Sequence, residues 1–208
     1  RLKIGEAELA AEKEVILEEI RQIEDDAFRL GQSLVYRNLL AGHPYGRPIH
    51  GDPEKIRQMA AADVERFYRR LFVPNNTVLA VVGNLPLQEM ESQIRKAFSD
   101  IPRGEDPPPP PERPKPISGI IEVERELDVE EAYLLLGALA LDYNDPGQYA
   151  ADVLTQVLGQ GLHPMLAGAL KSGQRNLVNS AQMTYIALKR AGAFVAYFTL
   201  DPKFLPAA

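Results

Sequence analysis

Apolar positions between residues 6 and 40 recur with helical spacing. At roughly 100° per residue, Ile16, Ile23, Ala27, Leu30 and Leu34 fall within about 60° of one another, with Leu9 and Ile20 at the edge of the stripe. The pattern predicts one long amphipathic helix over 6–40, bent near Gly31. Two acidic residues share the apolar stripe: Glu12 lies inside it, and Glu19 lies within about 20° of Glu12. Glu14, Glu18, Glu24 and Asp25 point elsewhere, toward water. A carboxylate aimed at a core is costly unless a metal ion, a histidine or an arginine pairs with it. The alternative is that both glutamates sit at the rim of the stripe and reach water or a nearby arginine.

Further along, breakers alternate with short elements. Ala41-Gly-His-Pro-Tyr-Gly-Arg-Pro-Ile-His-Gly51 reads as a loop. Asp52-Pro53 starts a helix that runs to about Phe72 and is capped again at Asp63. Pro74-Asn75-Asn76 makes a turn, and the β-branched run Thr77–Val82 predicts a buried strand. Pro86–Ser99 predicts an amphipathic helix with Leu87, Met90, Ile94, Ala97 and Phe98 inward. Pro107–Pro111, with Pro114 and Pro116, then make an extended spacer. Beyond it the pattern predicts strands at Gly119–Leu127 and Ala132–Ala140, and a helix over Asp145–Leu158 that Gly159-Gln160-Gly161 breaks. A short helix over His163–Leu170 follows, then a hairpin of Leu177–Leu188 with Gly192–Leu200. The organisation is therefore a block over 1–103, a proline-rich linker over 104–117 and a block over 118–208. The first block holds a single strand, which makes no sheet alone, so it reads as half a domain.

Composition narrows the function classes. In 208 residues, 45% hydrophobic and 25% charged content is that of an ordinary globular protein. The net charge of −6, with no long basic block, argues against nucleic-acid binding. The apolar run Val78–Val82 is too short to insert across a membrane. The chain starts without Met, and we expect an excised or processed piece. With no Cys, a metal site would draw on carboxylates and on His43, His50 and His163. His43 and His50 share a Gly/Pro loop that offers no third ligand, so each is expected to fix the loop by donating to backbone carbonyls. His163, before Pro164, reads as a cap or an exposed residue.

Four segments carry a resemblance: Glu12–Glu24, His43-Pro-Tyr-Gly-Arg-Pro-Ile-His-Gly51, Asp63–Phe67 and Val73-Pro-Asn-Asn-Thr-Val-Leu-Ala-Val-Val-Gly-Asn84. In order and spacing they resemble the M16 zinc peptidases, the pitrilysin, insulysin and mitochondrial-processing-peptidase group. The second block resembles the start of that family's second, homologous domain, with Leu158-Gly-Gln-Gly161 at its Gly-rich turn. The whole span is similar to the segment called the M16 inactive domain. The resemblance implies an α+β fold: half-copies of two duplicated metallohydrolase domains, with a mixed, mostly antiparallel sheet and helices on one face. It implies zinc in the full-length parent, held by two histidines of a His-x-x-Glu-His helix and by a glutamate that matches Glu19. Glu12 matches a supporting carboxylate that orients a ligand histidine. Zinc so held keeps an open position for an activated water that hydrolyses peptide bonds.

The chain contains no His-x-x-Glu-His, so by itself it is expected to bind no zinc and to cleave nothing. Family members that act alone grip substrate with an Arg and a Tyr, and Lys171 and Val178 stand at those positions, with Arg175 close by in an alternative register. Lysine lacks the bidentate fork and valine the hydroxyl. The expected partners are a peptide substrate, added along a strand edge, and a homologous subunit or a second copy of the chain. The compartment stays open between bacterial periplasm and cytoplasm, with the periplasm the first expectation. Two other functions stay open: a non-catalytic subunit that binds peptide or scaffolds a complex, and an interaction module that uses the proline run as an SH3-type ligand.

Overall fold

The computed structural model describes residues 4–171 and 176–207. The chain divides into two compact units, one of residues up to 15 with 53–110, the other of 16–52 with 111 onward. The first helix therefore contributes to both.

That helix, α1, spans Glu6–Asp25, and α2 spans Ala27–Leu39. The break falls at Asp26, not near Gly31 as the pattern suggested. Asp26 is the N-cap of α2, and its Oδ1 accepts the Arg29 amide at 2.9 Å. Gly31 lies inside α2, where a Leu135 methyl occupies the space a Cβ would need.

The first unit is helical. It holds the start of α1, α3 (Pro53–Gln58), α4 (Ala61–Leu71) and α5 (Leu87–Phe98). The single helix expected from Asp52 to about Phe72 divides in two, and the N-cap of α4 is Ala60, not Asp63: Asp63, at the third helical position, reaches back to accept the Ala60 amide at 2.9 Å, and that bond with Arg66 holds its carboxylate below the usual pKa. Lys13 donates to the Arg57 carbonyl at 3.0 Å. Asn75 ties the far end of the unit, donating to the Glu105 carbonyl and accepting the Gly104 amide, both at 3.0 Å. Two further expectations fail. Thr77–Val82 is not a strand, and it is not buried: Val78 is 96% and Val82 101% exposed. Of the α5 residues expected inward, Met90 and Ile94 are partly covered, while Leu87 and Phe98 are exposed. A strand needs a ladder partner, and among the described residues none pairs with 77–82. Among the described residues no strand of the first unit lies beneath α5, and its apolar face is covered only in part.

The second unit carries the sheet: β1 (Ala132–Leu139), β2 (Ser180–Leu188) and β3 (Ala191–Leu200), in the order β1-β3-β2 and antiparallel throughout. The fold class is α+β. The alternating stretch Gly119–Leu127 stays outside the sheet, with Ile120 exposed, so that expected strand is also absent. The hairpin turns on Lys189-Arg190, and Arg190 takes the left-handed φ of 59° that so short a loop requires. β3 is central and buried on both faces. Ala191 and Ala193 meet Leu39 and Leu40 from α2 on one face. Phe198 and Leu200 pack with Val178, Ala181 and α7 (Met165–Lys171) on the other. α2 thus covers one face of the sheet and α7 the other, where helices on one face were expected, because β3 is a continuous apolar run whose successive side chains point to opposite faces. α6 (Gln148–Thr155) precedes α7 and runs into a π-helical turn, Gln156–Gln160. At the unit's edge, the buried Asp142 carboxylate receives Arg113 at 2.6 Å, and so fastens the end of the proline-rich stretch.

Candidate functional site

α1 delivers the two glutamates singled out by the wheel, but neither is buried. Leu17 is the residue of α1 that is fully covered, and Glu12 and Glu19 are exposed, Glu19 by 50%. The stripe is correct as a face; its acidic margin is open in this chain. The neighbours Glu18 and Glu19 are treated differently. Glu18 is held by Arg21 at 2.5 Å, which lowers its pKa. Glu19 faces an imidazole instead: its Oε2 lies 3.5 Å from Nε2 of His50, whose side chain is 33% exposed.

His50 reaches Glu19 from the loop that follows α2. His43 caps the 3-10 turn Pro44–Gly46, accepting the Tyr45 amide on Nδ1 at 3.3 Å. An Nδ1 acceptor puts the ring proton on Nε2, which is buried without a hydrogen-bond partner. Gly46 is required because a Cβ there would collide with the Leu40 carbonyl. Both histidines hold this loop region, but not by donating to carbonyls as expected: one accepts an amide and the other faces a carboxylate. His163 is exposed ahead of α7.

His43 predicts a pH dependence. It is 5% exposed, and burial pushes its pKa below 6.5. Between the folded pKa and about 6.5, the unfolded state binds more protons. Stability is therefore full above about pH 6.5 and falls as pH drops through that value toward the folded pKa. Urea titrations at about pH 7.5 and 5.5 should show the loss in the native chain, and His43→Asn, which cannot titrate, should reduce it. Equal pH dependence in both proteins would exclude His43 as the source.

At the far side of the sheet, Lys171 ends α7 and donates to the Asn179 carbonyl. It lines a shallow cleft of about 370 Å³ with Gln160, Pro164, Ser180 and Gln182. Val178 is buried against Phe198 and Leu200 and does not line that cleft. Arg175, the alternative, lies outside the described residues. The π turn seals part of the β2 edge: Gln160 donates to the Met183 carbonyl at 3.1 Å, and Gly159 sits against the Met183 backbone so closely that a Cβ would overlap it. Gly159→Ala should cost ~1–3 kcal/mol by overpacking. Chemical denaturation checks it, and an unchanged midpoint would mean that the turn moves freely.

Tested against zinc, the donors are right in kind and short in number. Glu19 is an open carboxylate with an imidazole at hand, yet no group of three His, Cys, Asp or Glu side chains able to hold a metal forms among the described residues. His50 was the residue missed: it is 31 residues from Glu19, and no spacing rule links a loop histidine to a helical glutamate at that distance. No described helix is long and apolar enough to cross a membrane.

Comparisons with known proteins relate the chain to a family. The chain is 29% identical over 204 residues to an uncharacterized zinc protease of Mycobacterium leprae, covering 97% of this chain and 45% of that protein. It is 27% identical over 204 residues to an uncharacterized zinc protease of Streptomyces coelicolor, covering 96% and 44%. The chain thus spans less than half the length of these relatives. In fold it is similar to a protease from Helicobacter pylori, with a TM-score of 0.82 at 22% identity over 97% of this chain and 49% of the other. It is also similar to a peptidase M16 inactive domain from Pseudomonas fluorescens, with a TM-score of 0.77 at 22% identity, covering 97% and 48%. The family model described as the peptidase M16 inactive domain matches residues 58–208, which takes in the whole sheet, the π turn and α7. The chain belongs to the peptidase M16 family, within the part called its inactive domain.

Proposed function

We propose that this chain is part of a zinc metallopeptidase in which Glu19 supplies one anionic metal ligand and the remaining ligands come from residues outside the chain. What supports this reading is Glu19, the carboxylate that the resemblance matches to a zinc-ligand position: its side chain is half exposed on α1, with Oε2 3.5 Å from Nε2 of His50. Bound zinc supplies the activated water; this chain supplies a ligand for the metal and a sheet for the substrate. Glu12, one helical face away from the Glu18–Arg21 pair, is the supporting carboxylate in the same reading.

The substrate is an extended peptide that adds to a strand edge. β2 is partly sealed at Met183 by Gln160, whereas β1 pairs with β3 alone among the described residues, so β1 offers the more open edge. The second substrate-gripping half comes from a homologous subunit. Val178 is packed in the core, and Lys171 is engaged by the Asn179 carbonyl, so neither supplies the bidentate grip and hydroxyl that a lone peptidase of this family uses. Metal analysis and peptidase assays of the full-length protein test the proposal, with and without a homologous partner subunit. Absence of zinc from the full-length protein would leave the non-catalytic subunit as the better account.

A further inference from the structure

We infer that Thr77–Val82 is a strand of a sheet whose other strands lie in the part of the full-length protein outside this chain. Val78, Ala80 and Val82 form the face it presents to that part. The inference rests on the reading of this chain as a piece of a longer protein, and it involves no metal.

The segment is prepared as a strand and left unpaired. Its entry is locked: the Thr77 amide donates to the Pro74 carbonyl at 3.2 Å, and the Thr77 hydroxyl donates to the Val73 carbonyl at 2.8 Å. Thr77 itself has the extended angles φ −121° and ψ 136°. The exit is Gly83, beside which the Met90 methyl of α5 lies. Between entry and exit the exposure alternates with period two. Leu79 and Val81 are half covered, at 51% and 46% exposure, while Val78 and Val82 are bare and Ala80 between them is exposed. Among the described residues no strand pairs with the segment on either edge.

Two observations choose what covers it. The run from Thr77 to Val82 holds no charge and no proline, the devices that blunt a strand edge meant to face water. Its unbroken apolar composition is that of a strand covered on both faces. A second copy of the chain does not supply such cover. Two identical segments would close one edge of each and leave the other edges and the bare face in water, and a lone two-stranded ribbon is marginal. The second observation is length. The Mycobacterium leprae and Streptomyces coelicolor relatives are more than twice as long as this chain, so more than half of each lies outside the matching span. A sheet contributed from there is tethered to the segment and meets it at high effective concentration.

Hydrogen exchange read by mass spectrometry, on the full-length protein beside this chain, tests the inference. In the full-length protein the amides of 78–82 should exchange at least ~100-fold more slowly than in this chain, because a ladder closes them. Val82→Lys should lower the thermal midpoint of the full-length protein and leave that of this chain unchanged, since a charge is tolerated on a bare face and costly inside a sheet. Equal exchange of these amides in the two proteins, or equal responses of the two midpoints to Val82→Lys, would overturn the inference. So would protection that appears in this chain alone as its concentration rises, with a dimer in sedimentation, because a second copy would then be the occupant. The peptidase reading stands or falls separately. A full-length protein that protects 78–82 and binds no zinc keeps this inference and loses that reading; one that binds zinc and leaves 78–82 unprotected does the reverse.

Discussion

Glu19→Gln in the full-length protein should remove zinc and lower peptidase activity by more than ~100-fold. The magnitude follows from comparison: losing a partner of a ligand costs ~10–100-fold, and losing the ligand itself must cost more. The substitution keeps shape and removes only the negative charge, so a fall in metal content reports ligation and not misfolding. Glu19 is exposed and its carboxylate supports no core contact, so the metal-free protein should keep its stability within ~0.5 kcal/mol. Metal analysis after dialysis, an assay on an unstructured peptide and a metal-free denaturation curve read the three quantities. Retained stoichiometric zinc would show that the ligands lie elsewhere. A large stability loss without zinc in the native protein would make Glu19 a structural residue.

Leu40→Ala should destabilise the second unit by ~2–5 kcal/mol, the range for truncating a fully buried leucine. Leu40 is 0% exposed and sits among Leu39, Ala191 and Ala193, with Val35, Tyr36, Leu139 and Leu188 around them. Two of its facing neighbours are alanines, which have no length with which to fill the space left behind. The surrounding helix and strand are tied by backbone ladders, so they cannot collapse inward, and the cavity term is paid nearly in full. The same residue organises the site loop, since its carbonyl receives the His43 amide and abuts Gly46. Urea denaturation followed by circular dichroism checks the effect on stability. A loss below ~1 kcal/mol would mean that the site repacks, contrary to the geometry.

How much of this was legible in advance depended on whether the cause was local. The helix start at Pro53, the second helix start near Asp63 and the hairpin turn after Leu188 all follow from residues within a few positions of one another, and the sequence pattern locates them to within a few residues. Where the pattern erred, the missing information was a distant partner. Thr77–Val82 and Gly119–Leu127 have the composition of strands, but a strand exists only with a ladder beside it, and composition cannot say whether one is present. The pattern predicts one helix over 6–40 with its bend near Gly31. Packing reversed that: Gly31 is needed inside α2 for the approach of Leu135, and the Asp26 side chain stops the chain five residues earlier.

The candidate site divides the same way. The sequence alone determined that Glu12 and Glu19 share a helical face and that the 41–51 segment is a constrained loop, because both depend on fixed local geometry. It also carried the motifs that relate the chain to its family. Tertiary structure decided that Glu18 and Glu19 have different partners, that Val178 belongs to the core, and that His50 meets Glu19. Those outcomes depend on where α2 seats against β1 and β3 and on how the loop is then led back to α1. They are set by packing between segments far apart in the chain, and no local pattern encodes them.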